Sequence, residues 1–146
     1  MDKEVGPGTD FMTGFQQRNV TMMGQDGRNW AVVDPIRYIA ADGRTFVVPR
    51  GARTDGCSTP CELWPFLPPF GDYWLAAVLH DSGYQNTLLV ENPQGTDHAK
   101  ANLSQDQCDS LFKEAMQTLG VNESTVEKIY LGVHEFGWRA FKKDRE

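Results

Sequence analysis

The chain has 146 residues, of which 40% are apolar and 23% charged, and a formal net charge of −6. This balance reads as a soluble globular chain with room for one domain and a real core, and its acidity argues against general binding to a nucleic-acid backbone. No apolar run nears the roughly 20 residues that cross a bilayer, and the opening MDKEVGPGTD lacks the apolar stretch of a secretory signal.

Residues 1–10 are polar, contain GPG and offer nothing to bury, so a disordered segment is expected there, followed by a single α+β domain over 11–146. The signal is weak up to residue 27, where NVTMM suits an edge strand. NWAVVD runs into Pro35; IRYIA and TFVVP then flank an Asp-Gly turn, which predicts an antiparallel hairpin over 36–48. The glycine-rich, aperiodic stretch 50–60 predicts a loop, and the three prolines of WPFLPPFGD predict an extended, packed segment. Asp72 suits the N-cap of a helix over 73–85, which is apolar on all sides and therefore buried.

Residues 87–102, with Asn92-Pro93 and Gly95, read as a long surface loop. Ser104 and Gln107 form a capping box for a second helix. Its apolar residues Cys108, Leu111, Phe112, Ala115, Met116 and Leu119 recur at helical spacing, and Gly120 ends it. A last helix is expected from near Ser124, with Glu127 as capping partner, burying Val126, Ile129, Tyr130, Val133, Gly137 and Ala140. Strands come first and three packed helices follow, an α+β order.

Cys57, Cys61 and Cys108 are too few and too odd in number for a disulfide framework, and Cys57-x3-Cys61 lacks the second half of a zinc site. Reduced thiols in a cytoplasmic setting are expected. The chemistry concentrates in LHDSGYQN. On the first helix Tyr73, Ala77, His80 and Tyr84 form one stripe, while Asp81 lies about 100° round from His80. Neighbours in a helix do not face each other, so His80 and Asp81 must each find a partner elsewhere. On the second helix Asp106 points to solvent, whereas Asp109 lies on the border of the apolar stripe, half buried, where it needs a donor. His80 is the candidate donor. A carboxylate that fixes one ring nitrogen leaves the other to polarise a water. His80, Asp109 and Tyr84 are thus the candidate catalytic residues.

From about Trp30 to Trp138 the chain resembles a phage-associated family known as domain of unknown function 1353. Val48, Pro49, Gly51, Thr54, Asp55, Ser58 and Pro60 match its loop block; Ala77, Val78, His80, Asp81 and Tyr84 match its helix block. Asp109, Phe112, Ala115, Met116 and Gly120 match the third block. Ala52 and Gly83 depart from it, standing where the family tends to carry an aromatic residue and a leucine. The resemblance implies a phage or prophage origin, placing the protein in the cytoplasm of an infected bacterium or in the virion. It implies no reaction.

A narrower resemblance joins HDSGY and the later D-x-x-F to the core of phospholipase A-2 enzymes, including short capsid-borne ones. It implies that His80 activates water, Asp109 orients His80, and Asp81 ligates calcium with Asp55 as a further ligand. The Gly-x-Gly calcium loop of those enzymes is absent, RGARTDG being the nearest stretch, and so are the cysteine pairs of the secreted forms. Thr54-Asp55 has a plainer reading as a loop-shaping pair. His134 admits two readings: a ligand with His80, Asp81 and Asp109 in a zinc or manganese site, or a surface histidine near a helix C-terminus; over the whole chain calcium is the favoured ion and zinc the lesser one. Ser58 lacks the context of a serine nucleophile.

Two functions stay open. One is a hydrolase with a cation-assisted water, whose substrate is a lipid ester as the phospholipase resemblance implies, or a cell-wall bond if zinc is bound. The other is a virion or tail-assembly component, partnered by phage structural proteins, in which the same residues form a buried network.

Overall fold

The computed structural model describes residues 13–17, 22–24, 30–54 and 74–145. The expected disorder of 1–10, the proline-rich segment, the Asp72 cap, and Asp55, Cys57, Ser58 and Cys61 lie outside these residues. In chain order the elements are β1 (Gly14–Phe15), β2 (Met22–Gly24), β3 (Trp30–Val32), β4 (Ile36–Ile39), β5 (Thr45–Val48) and β6 (Arg53–Thr54). Then come α1 (Trp74–Gln85), β7 (Leu89–Glu91), β8 (His98–Lys100), α2 (Gln105–Thr118), α3 (Glu123–Phe136) and α4 (Trp138–Asp144).

The strands form two antiparallel sheets, one in the order β1-β4-β5-β7-β8 and one in the order β2-β3-β6. The expected hairpin is present with Tyr38 opposite Phe46, and its turn places Gly43 at φ 96°, a conformation that favours glycine. Both rings are fully buried. The fold is thus mixed α+β, and among the described residues no helix is long and apolar enough to cross a membrane.

Four expectations are corrected. Residues 87–102 are not a plain loop: they carry the hairpin β7–β8, and β7 pairs with β5, Phe46 standing opposite Val90. The Asn92 carboxamide builds its turn by accepting from the N–H groups of Thr96 and Asp97. The stretch after Arg50 is not all loop either, since Arg53 and Thr54 pair with β3 as β6. The third helix is two helices, for the chain turns at Gly137, which ends α3 and starts α4. The N-cap of α3 is Asn122, whose side chain accepts from the Ser124 N–H, rather than Ser124 itself.

The capping box of α2 forms as read, Ser104 and Gln107 each bonding the other's backbone. Helix α2 sits between α1 and α3, and α4 packs on both α1 and α3. Tyr38 donates from its hydroxyl to Glu114, tying the larger sheet to α2. Between that sheet and the outer face of α2 lies a cleft of about 270 Å³, floored by Ala40, Phe46, Leu103 and Leu111 and rimmed by Asp42, Arg44, Asp106 and Glu114.

Candidate active site

Every residue of α1 from Leu75 to Tyr84 is buried. Alanines 76 and 77, Ser82 and Gly83 keep the helix slim enough for neighbours to close on it, so its polar side chains must find partners inside the protein. His80 does so across two helices. Its Nε2 stands 2.8 Å from Oδ1 of Asp109 on α2, and the Tyr84 hydroxyl, one turn further along the same stripe, donates to that oxygen at 2.7 Å. The ring lies stacked on Phe112, centroids 4.5 Å apart at 24°, with Tyr84 on another side at 4.2 Å.

A carboxylate accepts, so the Nε2 that faces Asp109 is the donor of that bond and Nδ1 is the nitrogen left over. That Nδ1 and the second Asp109 oxygen, Oδ2, are buried and have no hydrogen-bond partner among the described residues. Burial first, then the Asp109 charge beside it, push the Tyr84 phenol far above the ordinary tyrosine range. It therefore stays a donor. One expectation shifts here: Asp109 is 0% exposed rather than half buried, because α1 covers one side of its helix and α3 the next.

Asp81 points away from His80, as the helical angle requires, and accepts a hydrogen bond from the Thr54 hydroxyl on β6. Both residues are buried. His134, near the end of α3, is half exposed; its Nδ1 lies 3.6 Å from Oδ2 of Asp109 and 3.6 Å from Oδ1 of Asp106. The residues read as ligands do not converge. Among the described residues no three of His, Cys, Asp and Glu are placed to hold a metal ion, and Asp55 lies outside them.

Two supports carried no sequence signal that singled them out. A Cβ on Gly137 would fall 2.5 Å from the Tyr84 hydroxyl and 2.4 Å from the Val133 carbonyl, so only glycine lets the chain turn there while that hydroxyl reaches Asp109. Arg145 closes the far end of α1. Its guanidinium donates to the carbonyls of Gly83, Tyr84 and Leu103 and covers the face of Phe141.

The family described as "Protein of unknown function (DUF1353)" matches residues 30–133. The chain belongs to that family. The DUF1353 region spans β3 to nearly the end of α3 and so contains His80, Asp81, Tyr84 and Asp109, while His134, Gly137 and Arg145 follow it. No curated protein and no solved structure matches the chain.

Proposed function

We propose that this protein is a phage-encoded hydrolase in which His80 is the general base, Asp109 orients it and Tyr84 holds Asp109, with a lipid ester as the favoured substrate class. The observation that carries this reading is the buried, unpartnered Nδ1 of a ring whose Nε2 is fixed by a carboxylate. A purely structural histidine has both nitrogens satisfied, since an unmet buried polar atom costs about 1–3 kcal/mol. In the reaction Nδ1 takes a proton from water as its oxygen bonds to the ester carbonyl carbon. Asp109 stabilises the imidazolium, which then returns the proton to the leaving alkoxide as the ester C–O bond breaks. With the His80 side chain 1% exposed, the reading requires that substrate open a route to Nδ1.

That same burial favours a second reading, a virion or tail component in which His80, Tyr84 and Asp109 lock α1 to α2. The test is to incubate the protein with phospholipid vesicles and with peptidoglycan sacculi and identify products by mass spectrometry, beside His80→Gln and His80→Ala. Fatty-acid release by the wild type, lost in a His80→Gln protein that still melts cooperatively, supports the hydrolase. No release from either substrate supports the structural network. His80→Ala should then cost about 2–4 kcal/mol, from the cavity and the orphaned Asp109, against none for the exposed Asp106→Ala.

The cation belongs to this proposal as well: calcium at Asp81 and Asp55, with zinc the lesser alternative. Thermal melts with calcium, with zinc and with a chelator test it. Melts that no ion shifts leave Asp81 as the acceptor of Thr54.

A further inference from the structure

The two oxygens of Asp109 are treated unequally. Oδ1 accepts from both His80 and Tyr84, while Oδ2, equally buried, accepts from nothing among the described residues. A carboxylate oxygen sealed from water needs a donor. His134 is placed to be one, at 3.6 Å, beyond the 2.7–3.2 Å of a hydrogen bond by well under the reach of a side-chain adjustment. Its ring is already steered: Tyr130 stacks on it at 5.5 Å and 13°, and Lys113 of α2 covers the Tyr130 face. Asp106 approaches the same Nδ1 at 3.6 Å but is 82% exposed and well solvated, so it competes weakly.

We propose that His134 donates its Nδ1–H to Oδ2 of Asp109 and is a positioning residue for His80. With both oxygens held, from α1 on one side and α3 on the other, the carboxylate plane is fixed. The His80 ring plane, and with it the direction of Nδ1, is then fixed too. The consequence for turnover rests on the hydrolase reading; the contact itself does not.

The experiment is nuclear magnetic resonance of the ¹⁵N-histidine-labelled full chain, following the downfield His80 Nε2–H proton that bonds Asp109, assigned by its loss in His80→Gln. His134→Ala should shift that proton and speed its exchange with water. His134→Asn, whose amide nitrogen stands as many bonds from the backbone as Nδ1 does, should restore it. Because His134 is half exposed, both variants keep the fold, which their melts verify. A signal unchanged in His134→Ala, or changed alike in Ala and Asn, overturns the proposal. If the wild type hydrolyses an ester, His134→Ala should also lower kcat roughly ten- to a hundredfold with KM little altered. An inactive wild type would remove the hydrolase reading and leave the resonance result to decide this one.

Discussion

A Cβ on Gly83 would stand 2.9 Å from Sγ of Cys108, closer than real Cβ contacts come, while its next neighbours lie at 3.6 and 3.9 Å, ordinary distances. The two residues are therefore fitted to each other where α1 crosses α2. In a helix interior Gly→Ala normally stabilises by about 1 kcal/mol. Here Gly83→Ala should instead destabilise, by about 1–3 kcal/mol, because the buried sulfur must be displaced to admit the new Cβ. In a Cys108→Ala background the same change should become neutral or stabilising. Urea melts of the four proteins test this sign reversal, and additive effects would contradict it. Burial pushes the Cys108 thiol up to about 12, so it acts as packing volume and not as a nucleophile.

The end of α1 is held by a residue that only the assembled helices bring near. The carbonyls of Gly83 and Tyr84 belong to its last turn; Gly83 also accepts from the Asn86 N–H, and Arg145 donates to both while supplying positive charge where a helix C-terminus favours it. Arg145→Ala should cost about 1–3 kcal/mol in a denaturant melt. Arg145→Lys should recover only part, since one ammonium cannot reproduce a fork spanning three carbonyls; equal melts for Arg145→Ala and the exposed Lys143→Ala would contradict the clamp. This dependence on assembly also separates what was legible in the sequence from what was not. The capping box of α2 and the Asp-Gly hairpin are local signals and were readable. So was the meeting of His80 with Asp109, because a histidine on a wholly apolar helix needs a partner and Asp109 borders the facing stripe. The β7–β8 hairpin was not, since β7 is three residues long and takes its order from β5, far back in the chain. Nor was the break at Gly137, where the absence of a Cβ makes room for the Tyr84 hydroxyl from a distant helix. His134 was readable as a neighbour of Asp109 only in a metal site with His80 and Asp81; its approach to Oδ2 of Asp109 alone comes from the packing of α2 against α3.

Across the whole molecule, early and late segments are interleaved. Arg37 on β4 reaches past β5 to hold Glu91 on β7 with two bonds of 2.7 Å, and His98 adds a third contact to the same carboxylate at 3.1 Å. The Arg37 hydrogen bonds hold the Glu91 carboxyl below the usual glutamate range. A carboxyl lowered in the folded state adds stability that is present above its unfolded pKa and lost as pH falls through the folded one. Arg37 is half exposed, so the pair should contribute only about 0.5–1 kcal/mol. Glu91→Gln should therefore be less stable than wild type at neutral pH, with the gap closing at acid pH; a gap that persists there would assign the loss to packing.

The strand order carries a further consequence, for synthesis. The last residue of β5 is Val48 and the first of β7 is Leu89, so 40 residues separate the two partners of one pairing. At the usual 5–20 residues per second the open edge of Phe46 and Val47 waits about 2–8 s on the ribosome for its neighbour. During that interval the edge can pair with another chain instead. The soluble yield is then governed by how fast residues 49–88 are translated, a variable that leaves no trace in an equilibrium melt of the finished protein.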